Sequence, residues 1–521
     1  MSKNLLFFIF IGVFHTVFSQ NIDHHPAVWV KADSVDREQG YWRDISGNDR
    51  HAIPVQGNLP GDFSLMNFNK SLPLDEINYL TIPNLTLNEN RITTIIVYEV
   101  EDSLQEKSLW ALQPASGKRV GLTTKRILGE REAITYTEEN RLNPVINSLS
   151  QSWYSTGNHD TGSGFFLGHV DSLSFNGKIS ECLIFEGNVP DSVLLKYISY
   201  LAVKYGVTLY QTDYRNSHGT IIWNYTGYPV YSGSIAGIGK DSCFGLNQKQ
   251  SCLLEQKIKV GLDQLEVMNE QNTAILPEDN FLIWGFDSNA LEKYGEIYSD
   301  EGEELSLYGN GLLQATGSES STLRTFLQVD GSGWEHAADH YVLLIDRTGT
   351  GDFSTTNTEV YFPSRTDSSS ILFSDIYWDT DRNGTDRFCF AYMPLPEQAK
   401  TIAKGETPVL EDIFSKMKNS GISKNENSPV DKTGNLNVPE KENQYLLYPN
   451  PNSGRFRLDI RYAVASDVVV RILNPEGKLI RTMNGSSAQS HRFEGTVPVK
   501  GHYMIEIQGE QENKTFKMIV Q

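Results

Sequence analysis

The feature that most constrains this chain is a two-residue alternation of apolar side chains. Phe456, Leu458 and Ile460 share one parity; Val468, Val470 and Ile472 repeat it; Tyr503, Ile505 and Ile507, then Phe516, Met518 and Val520, close it. A period of two puts those side chains on one face of an extended strand, with their polar neighbours towards water. The turn sequence Asn474-Pro475-Glu476-Gly477 separates two such runs. Strand-like runs recur upstream at Tyr79–Ile82, Ile92–Val100, Ser108–Leu112, Arg131–Tyr136, Gly164–Leu167 and Lys178–Phe185. A further set lies at Thr220–Tyr225, Tyr228–Ile238, Phe281–Trp284, Leu323–Val329, Tyr341–Ile345, Glu359–Phe362 and Arg387–Tyr392. Gly, Asn or Pro punctuates the gaps, which is the spacing of β-sandwiches. The expected fold class is all-β and multidomain.

A chain of 521 residues is too long for one core. The boundaries read as a leader at 1–19, a β-sandwich at 20–208, a second β-rich domain at 209–395, a polar linker at 396–443 and a small sandwich at 444–521. One helix stands out. Pro190 suits a first turn, Asp191 the positive end of the dipole, and Leu194, Ile198, Leu201 and Tyr205 follow at helical spacing up to Gly206. It is expected to cover one end of the first sandwich.

A net charge of −20 without clustered Lys and Arg argues against nucleic acid as a partner. Lys3, the apolar run Leu5–Phe14 and Val17-Phe18-Ser19 read as a signal peptide cleaved before Gln20. No later run is long and apolar enough for a transmembrane helix, so the exported chain is expected to be soluble. Of the four cysteines, Cys182 and Cys389 sit inside apolar runs and read as buried thiols. Cys243 and Cys252 are close enough in sequence for a disulfide or for two thiols, and both readings stand.

Few motifs carry chemistry. Asp379-Thr380-Asp381-Arg382-Asn383-Gly384-Thr385-Asp386 puts oxygen side chains at alternate positions before a glycine, as a calcium loop begins. Asp379, Asp381, Asn383 and Asp386 are its candidate ligands, and Ca²⁺ is the one cofactor the sequence admits. The competing reading is a hairpin turn whose Asp and Asn bond their own backbone. Asp346–Asp352 is a more degenerate version of the same turn. The glycine-rich Ile235–Asp241 lacks the spacing of a nucleotide cradle and reads as a turn or bulge. His336 and His340 lack the glutamate that a zincin places after its first histidine. With no nucleophile elbow or paired cysteine and histidine either, no catalytic residue is assigned and the chain reads as non-catalytic.

Four resemblances add to this. Trp42–Asn48 followed by Phe175–Phe185 resembles the concanavalin/laminin-G-like jelly roll, whose members often bind glycans or proteins. Ile235–Asp241, Leu246–Ser251, Phe281–Gly285 and Leu323–Val329 resemble an uncharacterised domain that follows such jelly rolls in Bacteroidota surface proteins. Tyr448-Pro449-Asn450-Pro451 with Gly454 and Phe456, Gly477 after Asn474-Pro475, and Gly501 and Tyr503 resemble the type A sorting domain of the type IX secretion system. That resemblance implies the type IX translocon as a partner and a secreted or cell-surface destination. Asp33-Ser34-Val35, Asp102-Ser103-Leu104, Asp171-Ser172-Leu173 and Asp191-Ser192-Val193 are similar to the O-glycosylation signal of the same bacteria. Together these imply an adhesin-like binding protein whose ligand is a glycan or a surface protein. The alternatives are a secreted polysaccharide-degrading enzyme and a purely structural surface component.

Overall fold

The computed structural model describes residues 24–393 and 444–520, apart from short segments at 88, 103–104, 115–118, 130–133, 136–143, 154–159, 254–255, 288–290, 299–303, 354–357, 368, 449–454, 475–477, 498–500 and 510–512. The leader and the linker lie outside the described residues, as does most of the Arg131–Tyr136 run. The chain divides into two compact units, Met1–Ser423 and Lys424–Gln521. Its regular structure is nearly all strand, as expected of the fold class. Among the described residues no helix is long and apolar enough to cross a membrane.

The first unit holds two sandwiches. In the first, one seven-stranded sheet carries the central order Val145–Ser152, Arg91–Val100, Gly177–Glu186, Val28–Asp36 and Tyr41–Asp44. A second seven-stranded sheet faces it across a core that includes Trp42, Trp110, Phe165 and Phe175. The second sandwich packs an eight-stranded sheet on a five-stranded one around Trp284, Trp378, Phe373 and Phe390.

The two sandwiches are not beads on a string. Val28, Val30, Cys182 and Ile184 point into the first core, whereas their alternate neighbours Trp29, Leu183 and Phe185, with Ile95 and Val97, point out of it into a separate apolar layer. The second sandwich does the same. Leu282, Trp284 and Leu313 face its core, while Phe281, Ile283 and Leu312 enter that layer from the other side. Between them lies the helix α1 (Asp191–Tyr205), contributing Tyr197, Tyr200, Leu201 and Tyr205. Strands buried on both faces lose the polar half of their alternation, which is why Arg91–Val100 is buried at almost every position. The helix thus lies across a sheet face, and the expectation that it covers one end of the first sandwich is corrected. It does end as expected, with Gly206 left-handed at φ 66 and its N–H donating to Ala202 O.

The glycines of Ile235–Asp241 also find their reason here. They lie in a regular strand, Ser234–Asp241, and not in a turn or bulge. Gly237 and Gly239 pair directly with Ile283 and Phe281, and a Cβ on either would come within 2.2 Å of those side chains. Two missing side chains let Ile283 and Phe281 lie flat beneath the helix. Likewise, what reads as one run from Tyr228 to Ile238 is a short 3₁₀ turn, Pro229–Tyr231, before that strand.

A hairpin clips the joint. The Ser64–Met66 and Asn69–Leu74 strands turn through Asn67 and Phe68, both at positive φ (46 and 65). Asparagine tolerates that conformation, whereas for phenylalanine it costs about 1 kcal/mol or more. The contacts made at the tip offset the strain. Asn67 Nδ2 donates to Lys204 O (3.0 Å), a carbonyl left open at the helix C-terminus, and to Ser251 Oγ (2.9 Å); its Oδ1 accepts from the Cys252 backbone N–H (2.8 Å). Asn69 Nδ2 donates to the same Lys204 carbonyl (2.7 Å) and to Gln248 Oε1 (3.1 Å). Two asparagines of the first sandwich therefore cap the helix and grip the second sandwich together.

In the second unit the strands Gln444–Tyr448, Arg455–Leu473, Gly501–Gly509 and Asn513–Val520 form a sheet in that order, with Leu479–Thr496 paired to Arg455–Leu473. Phe456, Leu458, Ile460, Val468, Val470, Ile472, Tyr503, Ile505, Ile507, Met518 and Val520 are buried in one core, on the predicted parity, with Phe516 partly buried against it.

Asn67→Ala is expected to lower the stability of the first unit by about 1–3 kcal/mol, because it strands the Cys252 N–H in the joint and removes one of the two amides that donate to Lys204 O. A urea midpoint lowered at unchanged slope is the readout.

Candidate functional site

The candidate site is a cleft of about 1140 Å³ within the first unit, bordered by the hairpin tip, the chain leaving α1 and one end of the second sandwich. Asn67 and the Gly206–Thr208 backbone form one side; Trp334, Tyr308, Asp330 and Lys257 line another. Trp334 is half-buried, with its indole tilted against Tyr341 at 4.5 Å and Tyr308 at 5.3 Å between centroids. Its Nε1 donates to Leu291 O (2.9 Å), which fixes the ring. Gly331 makes room beneath it, since a Cβ there would sit 2.7 Å from the indole. The charged groups are of both signs. Lys178 pairs with Glu99 at 2.9 Å, and Asp330 takes the Ser332 N–H at 2.9 Å. Burial works against the Asp330 carboxylate, but hydrogen bonds from Ser369 and Ser332 hold it below the usual carboxylate range. A fixed, half-buried indole in a cleft that also carries paired polar groups is suited to a ligand carrying both apolar faces and hydroxyls.

Tyr205 joins this cleft to a buried ionic cluster beneath α1. Glu181 is fully buried and directly opposite Lys31 on the neighbouring strand. Its carboxylate accepts from Trp29 Nε1 (2.6 Å), Tyr200 Oη (2.9 Å) and Tyr205 Oη (2.8 Å), and pairs with Lys204 Nζ at 3.2 Å. Lys204 also pairs with Asp33 at 3.0 Å. Lys31 lies over the Trp29 ring and donates across the joint to Phe244 O (2.8 Å). Burial pushes the Lys31 ammonium down to about 8, against the pull of Glu181. For Lys204 burial pulls the same way, yet Glu181 and Asp33 together hold it above its usual value. Beyond Asp33 in its glycosylation-like triplet and Tyr205 in the helix, the sequence singled out none of these residues as a site, because a lone Glu and Lys in apolar runs carry no motif.

The four residues read as calcium ligands are brought together at one hairpin turn. Asp379 Oδ1 accepts from Gly384 N–H (2.7 Å), and Asp381 accepts from Asn383. Asp386 Oδ2 accepts from the Asp379 N–H and from Arg347 Nη1, each at 2.6 Å. Asn383 Nδ2 donates to Arg347 O (2.6 Å). As arranged, Asp379, Asp381 and Asp386 Oδ2 serve the turn and a guanidinium, while Asp386 Oδ1 is buried without a hydrogen-bond partner; among the described residues no group of three or more His, Cys, Asp and Glu is placed to hold a metal ion. Burial raises Asp386 to about 7, with Arg347 opposing. The Asp346–Asp352 turn is closed in the same way, Asp346 accepting from Thr348 and Gly351 N–H. His336 stacks on Tyr392 at 3.7 Å, and His340 lies tilted to the same ring. All four cysteines are free, so Cys243 and Cys252 form no disulfide. In the tail Phe456 and Tyr503 are core residues and Tyr448 ends a strand, while Pro449, Asn450, Pro451, Gly454 and Gly477 lie outside the described residues. Gly501 opens the Gly501–Gly509 strand.

Comparison with known proteins bears on the two units separately. Residues 446–521 match the secretion system C-terminal sorting domain. The chain carries an export tail. This supports a type IX secretion substrate that is secreted or held at the outer surface. Residues 194–382 match a domain of unknown function (DUF8202), and that match begins inside α1. No curated protein matches the chain. Among solved structures, domain 4 of AbnA, an extracellular arabinanase from Geobacillus stearothermophilus in complex with arabinotriose, is 12% identical, with 33% of this chain and 97% of that one covered and a TM-score of 0.25. A cycloisomaltooligosaccharide glucanotransferase from Paenibacillus sp. is 9% identical over 71% of this chain and 46% of that one, with a TM-score of 0.17. Latent PorU from Porphyromonas gingivalis is 11% identical over 89% and 33%, with a TM-score of 0.15. This chain therefore spans less than half of the last two, and likenesses this slight carry no argument about function.

The Lys31 shift fixes a sign. A lysine depressed from 10.5 to about 8 costs stability while it is charged, so its penalty is full below pH 8 and fades as pH rises towards 10.5. Lys31→Met is therefore expected to be more stable than the parent near pH 7, by up to about 3 kcal/mol, and to lose that advantage by pH 10.5. Paired denaturant titrations across this range measure it.

Proposed function

We propose that the protein is a non-catalytic, adhesin-like binding protein, exported through the type IX secretion system, whose cleft beside α1 receives a glycan. The observation that carries this reading is the half-buried Trp334 indole, packed on the buried Tyr308, held in place by the Leu291 carbonyl and sharing the cleft with Asp330 and Lys257. Pyranose rings stack on such surfaces through their C–H faces, while carboxylates and amines take the hydroxyls. The sorting tail supports the location in which such a ligand is met.

The second reading, a secreted polysaccharide-degrading enzyme, has its own observation: Asp330, Glu335, Glu292 and Glu99 all line the cleft, and glycoside hydrolysis uses paired carboxylates. One glycan screen separates the two. Binding without release of reducing ends, weakened tenfold or more by Trp334→Ala, is the expected result; reducing-end release abolished by a single carboxylate substitution would transfer the assignment to the enzyme reading. A surface protein as ligand is the outcome if every glycan fails and binding to the cell envelope survives glycan removal.

Export has its own test. Removing residues 444–521 is expected to leave the protein in the periplasm of a type IX-competent host, read by cell fractionation. Normal surface appearance of the truncated chain would contradict the role of the tail.

A further inference from the structure

The Asp33, Lys204 and Glu181 side chains meet in an arrangement that does more than hold charge. Lys204 Nζ lies 3.0 Å from Asp33 Oδ2 and 3.2 Å from Glu181 Oε2. The Lys204 side chain is 7% exposed and that of Glu181 fully buried, while Asp33 keeps 44% of its side chain open to water. Aromatic rings surround the amine: its nitrogen is 5.1 Å from the centroid of Tyr205 and 5.9 Å from that of Tyr200. Glu181 is fixed by three donors, Trp29 Nε1 and the Tyr200 and Tyr205 hydroxyls, so it can exchange a proton with Lys204 without moving. We propose that Lys204 and Asp33 condense to an intramolecular amide, with Glu181 as the proton carrier.

The step balances without a further reagent. One ammonium proton passes from Lys204 by way of Glu181 to the Asp33 carboxylate, and the neutral nitrogen attacks the resulting neutral carboxyl carbon, forming the C–N bond. One Asp33 C–O bond then breaks. The departing hydroxyl takes a second proton from the Lys204 nitrogen and leaves as water, and Glu181 ends as it began. An ammonium and a carboxylate thus become a neutral amide and water. The open side of Asp33 lets that water escape.

Two physical effects favour the exchange. Holding an amine and a carboxyl in contact is equivalent to a very high local concentration, up to about 10⁵–10⁸ M for well-oriented groups. Desolvation meanwhile penalises the Lys204 charge, and Lys31 and Lys204 repel each other as like charges. The two carboxylates oppose this by stabilising the ammonium, so the ion pair is the starting state and the rate is set by proton transfer to Glu181. Lys31 is not the nucleophile, since its Nζ is directed across the joint to Phe244 O. The bond would tie the Val28–Asp36 strand to the end of α1 across 171 residues of chain.

The test is the mass of the purified full chain under denaturing, reducing conditions, followed by peptide mapping. The parent is expected to be lighter than its sequence by one water, with a branched peptide joining the Asp33 and Lys204 segments and no tryptic cleavage after Lys204. Asp33→Ala and Lys204→Arg are expected at full sequence mass, and Glu181→Gln likewise or with slow conversion. Asp33→Asn supplies an arm independent of folding defects: if it condenses it loses ammonia in place of water. A parent at full sequence mass, with the Asp33 and Lys204 peptides recovered separately, overturns the proposal; a Glu181→Gln chain that condenses as fast as the parent overturns the role given to Glu181.

Discussion

Glu181 is a carboxylate without access to water, and the surrounding architecture can be read as what it takes to keep it there. An ionised carboxyl in an apolar layer needs a partner for each lone pair, and breaking such a set costs about 3–5 kcal/mol because the remaining groups are left buried and unmatched. Trp29, Tyr200, Tyr205 and Lys204 supply the partners, one from the sheet and three from α1. The rotation and register of the helix on the sheet follow, since Trp29 holds one oxygen, Tyr205 and Lys204 the other, and the Tyr200 hydroxyl lies within hydrogen-bond distance of both. The apolar surface of the layer provides the bulk of its cohesion, and the ionic cluster gives it one arrangement.

The second sandwich is placed by that same helix. Lys31 crosses to Phe244, the asparagine hairpin caps α1 while holding Ser251 and Cys252, and Gly237 and Gly239 allow Ile283 and Phe281 to lie beneath the aromatic side chains. The cleft exists because two rounded sandwiches meeting along one helix leave a hollow at its end. Its walls come from both sandwiches, so its shape depends on the joint as much as on either core.

The all-β class, most strands, the helix with its terminal glycine and the alternating tail were legible in the sequence, because each rests on local periodicity. Gly206 ends α1 for the reason any left-handed glycine does, and Phe456 to Val520 keep their parity because one face of that sheet meets water. What was not legible depends on contacts far apart in the chain. Trp29 and Phe185 look like ordinary strand residues, and only the second sandwich shows why the outer face of their sheet is apolar. Glu181 resembles an interruption in a buried strand until α1 is laid over it. The glycines at 237 and 239 suggest a turn when read alone, whereas their cause is Ile283 and Phe281. The cleft was invisible for the same reason: Asn67, Gly206 and Trp334 come from three distant segments.

The layer shared by the two sandwiches also sets the unit that can be cut out intact. A first sandwich copied alone into another gene would carry Trp29, Ile95, Val97, Leu183 and Phe185 on a bare sheet face, with a buried glutamate opened to the side. Apolar area of that kind costs about 25 cal/mol per Å² in water and invites association with any exposed sheet nearby. Cutting the chain between the two sandwiches therefore exposes apolar faces on both sides of the cut, and neither half is self-contained as it stands.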